Sequence, residues 1–394
     1  YQLIKKISKE APRIDGSDLP PAIIHLKDTC GSFAFDYQSI YSPAGLNPDN
    51  TGVIGLDDFD SSWGIWGHNL RKVLGANTEK VYATINGKAN DSQLCFSSGE
   101  MFRLIESYIT DNFGEKGKFR FVIAPDDTPY ACTCPSCTAI GNTEKNATPA
   151  VTELILRLSQ RFPRHFFFTT SYLTTQQVTD KQLPPNAGVI VSAINFPLRR
   201  IDGKDAKEKA FAGQLEQWKN VTKNIYIWDY INNFDDYLTP MPILKIARQR
   251  LQFFKQHGAS GIFFNGSGYS YSSFDEMRTF VLSALLINPE LSVDNLTASF
   301  FNQEYPAAKK WLYDYYTDLE NGTQSGKRLG IYAGIRESEK AYLTPEKFIK
   351  FYDEMNDFVS NAKGKERKKL HELQTALSYT RMEMGREHSF DAYG

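Results

Sequence analysis

The sequence lacks the features that would tie it to a membrane or to nucleic acid. None of its apolar runs reaches the roughly 20 residues that a helix needs to cross a bilayer. The 394 residues carry 45 basic and 46 acidic side chains, a net charge of -1. Because phosphate binding usually requires a concentrated basic face, we predict neither a membrane span nor a nucleic-acid partner.

Cysteine is scarce, and its number is odd. Five thiols exclude a framework in which every cysteine is paired within the chain. Three of them are close together in the sequence: Cys132, Cys134 and Cys137. This cluster could bind a structural zinc ion with a fourth ligand from Cys95, Cys30 or His68, or it could form one disulfide and leave a free thiol. We predict no other cofactor.

Motifs for nucleotide binding and for metal-dependent hydrolysis are also missing. No glycine-rich phosphate loop follows a predicted strand, and the sequence contains neither His-Glu-x-x-His nor His-x-His. Aromatic residues, by contrast, are abundant, with 27 Phe, 21 Tyr and 5 Trp, or 13% of the chain. Most belong in a core, but Tyr and Trp on loops are typical of sugar sites, because pyranose rings stack their C–H faces on aromatic rings.

Short apolar runs alternate with helical patterns through the first three quarters of the sequence. We predict strands at residues 22–26, 53–56 or 62–66, 81–85, 119–124, 165–170, 188–193, 224–228 and 261–264. Such an alternation favours an α/β fold, a (β/α)8 TIM barrel, with a doubly wound open sheet as the alternative. Long amphipathic helical patterns then follow. We therefore predict a barrel domain over residues 1–290 and a helical C-terminal extension over residues 291–394.

In a parallel barrel, catalytic groups lie just past the carboxyl ends of the strands. Asp126 and Asp127 follow the strand predicted at 119–124 and are the catalytic candidates. Neighbouring carboxylates raise each other's pKa, so that one can donate a proton while the other stays charged. The alternative is an Asp pair that caps loop amides. Candidates for binding sugar rings and hydroxyls lie at the other strand ends: Trp63, Trp66, His68, Tyr172, Asn195, Trp228, Asp229, Tyr230 and Asn265.

Residues from about 63 to 313 resemble a bacterial domain family of unknown function that is described as glycoside-hydrolase-like. The shared strings are a Trp-rich stretch ending at His68, Leu94-Cys95-Phe96-Ser97, Asp127 followed by an aromatic-Cys-x-Cys-x-x-Cys string, and Trp228-Asp229-Tyr230 with Asn233-Phe234. The family is distantly similar to α-glucuronidases and to β-hexosaminidases and O-GlcNAcases. The resemblance implies that Asp126 orients a substrate acetamido group, that Asp127 is the general acid/base, and that Asp229 binds a sugar hydroxyl. Relatives often carry an acidic residue after the last strand, where this chain has Asn265.

These observations predict a glycoside hydrolase that acts on an oligosaccharide or polysaccharide. Asp127 would be the acid, and Asp126-assisted substrate participation or a second carboxylate such as Asp229 would complete the mechanism. The alternative is a non-catalytic glycan-binding barrel. The sequence begins at Tyr1 without a signal peptide, and we expect a processed form. A secreted, periplasmic or outer-surface location is expected from the substrate and the resemblance.

Overall fold

The structure is a computed structural model that describes residues 33–388. Within this range the strands are β1 (Tyr37–Tyr41), β2 (Trp63–Ile65), β3 (Tyr82–Ile85), β4 (Lys88–Leu94), β5 (Arg120–Val122), β6 (Phe166–Ser171), β7 (Ala187–Ser192), β8 (Asn224–Tyr230) and β9 (Gly261–Asn265). Seven of them form one parallel sheet in the order β1-β9-β8-β7-β6-β5-β2, and β3 pairs with β4 in a separate antiparallel hairpin.

The parallel sheet is curled, so that its two edge strands approach each other. Each of its strands contributes to one buried cluster on the inner face, whose strand members are Tyr37, Trp63, Val122, Phe168, Ile190, Tyr226 and Phe263. At the edges, the Trp63 indole N–H donates a 2.7 Å hydrogen bond to the Tyr37 hydroxyl. No backbone ladder joins β1 to β2 between residues 33 and 388, so the described chain forms a partly closed barrel.

The α/β class and the curled parallel sheet are as predicted, but a complete eight-stranded barrel is not confirmed. Residues 53–56 overlap the end of the helix Pro48–Ile54, so β2 comes from the alternative run at 62–66. The run at 81–85 forms β3, which lies outside the parallel sheet. The prediction missed β1, and the run predicted at 22–26 lies outside the described residues.

The hairpin has a physical explanation that was readable in the sequence. Only Asn86 and Gly87 separate β3 from β4, and both have positive φ, at 53° and 75°. Asn-Gly is the preferred pair for a type I′ turn, whose twist matches that of two antiparallel strands. The chain therefore turns back at Asn86 and does not continue into a crossover helix.

Helices cover the outer face of the sheet. Those within and around the barrel are Pro43–Leu46, Pro48–Ile54, Phe59–Ser62, Leu70–Leu74, Gly99–Phe113, Pro135–Ile140, Thr148–Arg161, Ala206–Lys219, Leu244–Gln256 and Asp275–Ile287. The later ones are Val293–Glu304, Lys309–Gly322, Ile335–Ala341, Pro345–Asn361 and Gly364–His388. In the described part of the chain, none of these helices has the length and apolarity to span a membrane.

The C-terminal helices pack directly on the barrel. One buried apolar cluster runs from β7, β8 and β9 through the helix Leu244–Gln256 to the helix Gly364–His388. A polar contact reinforces this packing, because the buried Glu320 carboxylate accepts the backbone N–H groups of Leu244 and Lys245 at 2.8 and 2.9 Å. The first N–H groups of a helix have no hydrogen-bond partner within the helix, and the carboxylate satisfies two of them. The domain boundary at residue 290 stays a prediction.

Candidate functional site

A cavity of about 300 Å³ opens at the carboxyl ends of β6, β7, β8 and β9. It is lined by His68, Asp127, Thr170, Tyr172, Ile190, Ser192, Ile194, Trp228, Tyr230, Phe234, Asn265 and Tyr332. A slightly larger cavity of about 350 Å³ lies between the helix Pro43–Leu46 and the C-terminal helices. We take the strand-end cavity as the candidate site, because parallel barrels place their sites at this end.

The two-residue period of the strands decides which side chains reach the cavity. Thr170 and Tyr172 line it from β6 and its end, and Ile190 and Ser192 line it from β7. In the same way Trp228 and Tyr230 line it from β8. Successive strand side chains point to opposite faces, so the residue between each pair faces the surrounding helices.

Asp127 is the catalytic candidate that the structure places at the cavity. Its side chain is exposed at the cavity mouth, next to Tyr172. Burial, and then the charge of Asp127 and a hydrogen bond to it, raise the pKa of the Tyr172 hydroxyl above its usual value. Tyr172 therefore stays protonated at neutral pH, with its hydroxyl near the Asp127 carboxylate.

Asp126 does not line the cavity. Its Oδ2 atom accepts a hydrogen bond from Arg71 Nε at 2.6 Å. The backbone around it is held by Gln93, whose Oε1 accepts from Asp126 N at 3.0 Å and whose Nε2 donates to Asp126 O at 3.2 Å. The two adjacent carboxylates therefore have different surroundings, and Asp127 alone of the pair reaches the candidate site.

Asp229 also lies outside the cavity, contrary to what the resemblance implies for a sugar ligand. It forms a two-pronged ion pair with Arg250, with N–O distances of 2.8 and 2.5 Å, and both side chains are 1% exposed. Arg250 belongs to the helix Leu244–Gln256, which packs on the outer face of the sheet. The geometry gives Asp229 a structural role between strand and helix.

Trp63, Trp66 and Trp228 form a cluster of tilted and edge-on rings, of which Trp228 is the one in the described lining of the cavity. Trp66 lies between Trp63 and Trp228, with ring-centroid distances of 4.6 and 5.0 Å, and Trp63 is buried inside the barrel. Gly67 has φ of +58°, and a Cβ there would lie 3.4 Å from the Trp228 ring. This is an ordinary contact distance, so it is the left-handed backbone conformation, and not the approach to Trp228, that favours glycine here.

Of the residues proposed from the sequence to bind sugar, His68, Tyr230 and Asn265 also line the cavity. Asn195 is exposed, and its neighbour Ile194 lines the cavity instead. His68 Nδ1 lies 2.5 Å from the Pro125 carbonyl oxygen. Because a carbonyl only accepts, Nδ1 carries the proton and Nε2 of a neutral ring is an acceptor. Burial raises the pKa of Tyr230 to about 12, so its hydroxyl is a donor at neutral pH.

Sequence reasoning missed the part of the site that the C-terminal region supplies. Tyr332, which is 64% exposed, reaches the cavity from a loop that follows the short 3-10 helix Thr323–Ser325. Asn233 fixes this loop, because its side chain donates to Ala333 O at 2.7 Å and accepts from Ala333 N at 3.1 Å. Phe234 packs beside Tyr332, with ring centroids 5.8 Å apart. No local signal at Tyr332 distinguishes it from other surface aromatics.

A second polar cluster lies beside the loop that carries Asp127. The sulfur atoms of Cys95, Cys132, Cys134 and Cys137 all lie within 4.8 Å of one another. Among the cysteines in residues 33–388 no disulfide is formed, and the arrangement is compatible with metal binding. The structure thus brings Cys95, and not His68, to the Cys-x-Cys-x-x-Cys string. Cys30 lies outside the described residues.

The protein is therefore an α/β protein with a partly closed parallel barrel. Its strand-end cavity has the size of a small-molecule site. The chain belongs to the family described as "Domain of unknown function (DUF4838)", whose sequence profile matches residues 68–318. The predicted membership in a family of unknown function is supported at this level, and the motif-by-motif correspondence stays a prediction. No curated protein matches the chain.

Two solved glycosidase structures are similar in outline. A Thermobaculum terrenum O-GlcNAc hydrolase is 14% identical with a TM-score of 0.41, over 76% of this chain and 67% of that one. A GH138 enzyme targeting pectin rhamnogalacturonan II is 8% identical with a TM-score of 0.38, over 71% of this chain and 46% of that one. At these values neither likeness assigns a role to any residue here.

Proposed function

We propose that the protein is a glycoside hydrolase that binds a sugar in the strand-end cavity, with Asp127 as the general acid/base. The observation that carries the proposal is the position of this carboxylate beside the cavity, next to Tyr172 and with the Trp228 ring in the same lining. The Asp127 side chain is exposed at the mouth of the cavity. A bound sugar would cover this carboxyl group and exclude water from it, which strengthens its electrostatic interaction with the substrate.

The lining chemistry favours a neutral sugar. Acceptors and donors for hydroxyl groups alternate around the cavity in His68, Ser192 and Asn265, while Trp228 offers a ring face for stacking. No Lys or Arg is among the described residues that line the cavity, so a uronic acid would lack a counter-charge there. A volume of about 300 Å³ is at the small end for ligand sites and suits one sugar unit of a longer oligosaccharide or polysaccharide.

Among the described residues that line the cavity, Asp127 is the single carboxylate, and this restricts the possible mechanisms. A mechanism with two protein carboxylates needs them about 5–9.5 Å apart across the glycosidic bond. Asp126 is engaged by Arg71, and Asp229 by Arg250, and neither lines the cavity. In a substrate-assisted mechanism the acetamido oxygen of the substrate attacks the anomeric carbon, so that one protein carboxyl suffices to protonate the leaving oxygen. We therefore favour a 2-acetamido sugar as the substrate.

The first test uses a panel of aryl glycosides that includes N-acetylglucosaminide, galactoside and glucuronide. We expect release of the aryl group from the N-acetylglucosaminide. Asp127→Asn should lower the rate by about 10²–10⁴-fold, as expected for loss of a general acid/base. Asp126→Asn is the matched control, because it makes the same chemical change one residue away, and it should retain most of the activity. Equal activity in Asp127→Asn and wild type would show that the site lies elsewhere.

A second candidate function is glycan binding without catalysis. The presence of one carboxylate, Asp127, among the described lining residues also favours this function. Its lining would keep the aromatic and hydroxyl groups that hold a sugar but would lack the second catalytic group. Calorimetric titration with oligosaccharides separates the two. Binding that Trp228→Ala abolishes, together with no hydrolysis of any glycoside, would establish the binding protein and refute the hydrolase.

We also propose that the protein is secreted, periplasmic or located at the outer surface. The reason is that a polysaccharide substrate would be encountered outside the cytoplasm. Fractionation of the native cells with an antibody against the protein tests it. Recovery of the protein only in the cytoplasmic fraction would refute this location.

A further inference from the structure

Four cysteines from two distant stretches of the sequence converge next to the loop that carries Asp127. Cys95 directly follows β4, whereas Cys132, Cys134 and Cys137 follow β5. Cys132 and Cys137 are 2% and 0% exposed. The four sulfur atoms lie within 4.8 Å of one another.

Two of the distances between the sulfur atoms match the edges of a tetrahedral metal site. Zinc binds thiolate sulfur at about 2.3 Å, so the edges of a regular ZnS₄ tetrahedron are about 3.8 Å long. Cys95 Sγ lies 3.7 Å from Cys134 Sγ and 3.8 Å from Cys137 Sγ. A disulfide would bring two of these atoms to about 2.05 Å. Two of the six edges therefore have the length expected for metal ligands, and all six are within 4.8 Å.

The surrounding donors fit thiolates better than thiols. The backbone N–H of Thr84 donates to Cys132 Sγ at 3.2 Å, and the backbone N–H of Cys137 donates to Cys134 Sγ at 3.5 Å. The Ser97 hydroxyl lies 3.0 Å from Cys137 Sγ. Outer donors of this kind orient metal ligands and spread the negative charge of the sulfur atoms. Four closely spaced thiolates, two of them buried, would repel one another without a cation, so these contacts favour a bound divalent ion.

We propose that Cys95, Cys132, Cys134 and Cys137 bind one structural zinc ion. All four ligands are protein sulfur atoms, so the site is closed and has no position for a substrate or water. The ion joins the β3–β4 hairpin to the chain that follows β5. Gln93, two residues before Cys95, holds the same chain through Asp126 and through the Tyr130 carbonyl. The site stabilises this region whether or not Asp127 is catalytic.

The test is the metal content of the purified full chain, measured by plasma mass spectrometry after dialysis against a weak chelator. We expect about one zinc per chain in the wild type. Cys95→Ser and Cys134→Ser should lose the zinc. Cys30→Ser, the matched control at the fifth cysteine, should keep it. Circular dichroism reports whether each variant folds.

X-ray absorption at the zinc edge of the wild type gives a readout that needs no variant. We expect four sulfur neighbours at about 2.3 Å. Wild-type protein with no metal and all five thiols reactive toward a thiol reagent would overturn the proposal, as would a mass that rises on reduction because disulfides are present. Zinc with nitrogen or oxygen neighbours, iron in place of zinc, or loss of zinc in Cys30→Ser would overturn the ligand assignment.

Discussion

The buried ion pair between Asp229 and Arg250 predicts that Asp229 stabilises the fold and does not bind the ligand. Both side chains are 1% exposed, and Arg250 also donates to the carbonyl oxygens of Phe196 and Pro197 at 3.3 and 2.9 Å. Its guanidinium lies 4.5 Å from the Phe196 ring centroid. Removal of either charge would therefore leave the other buried without its counter-ion.

Asp229→Asn leaves the Arg250 charge buried without its counter-ion. Breaking a buried pair in this way costs about 3–5 kcal/mol of the free energy of unfolding. A change of 1 kcal/mol shifts the melting temperature by roughly 2–4 °C in domains of 150–250 residues, and by less in longer chains, so we expect a fall of roughly 5–10 °C. Asp229→Leu combined with Arg250→Met removes both charges, and its loss should be smaller than the sum of the two single changes.

Scanning fluorimetry and urea unfolding measure these losses, with Asp127→Asn as the control of identical chemistry at an exposed position. We expect the control to shift the free energy of unfolding by no more than about 0.5 kcal/mol. A stable Asp229→Asn variant with a large loss of sugar binding would refute the reasoning, because Asp229 would then act on the ligand.

Two further predictions follow from groups that join the C-terminal region to the barrel. Burial raises the pKa of Glu320 from 4.5 to about 7, so the folded protein holds this proton more tightly than the unfolded chain. Stability should therefore fall as the pH rises from about 4.5 to about 7 and then stay level. Glu320→Gln should remove this dependence from melting curves recorded against pH, and an unchanged dependence would contradict the assignment. Asn233→Ala deletes both hydrogen bonds to Ala333 and should cost about 1–3 kcal/mol. It should also weaken ligand binding or raise KM through Tyr332 with little change in kcat, and an unchanged KM would contradict the role of this loop.

The strands of the parallel sheet were largely predictable because their signal is local. Runs such as Phe166–Ser171 and Ala187–Ser192 are rich in β-branched and aromatic residues and are bounded by turn formers. The hairpin was misread, although Asn86-Gly87 is a local signal with a known turn geometry. Pairing of β1 with β9 could not be read locally, because it joins residues more than 200 positions apart.

The candidate site was also predictable only in part, where its residues are set by local sequence patterns. The sequence by itself placed four residues at strand ends: Asp127, Tyr172, Trp228 and Tyr230. Side chains alternate between the two faces of a strand, so an inward-facing Trp228 implies an outward-facing Asp229. The tertiary structure decided the rest: the Arg71 and Arg250 partners that engage Asp126 and Asp229, the arrival of Tyr332, and the choice of Cys95 as the fourth thiol. Backbone periodicity is encoded by neighbouring residues, whereas contacts between distant segments form only when the whole core packs.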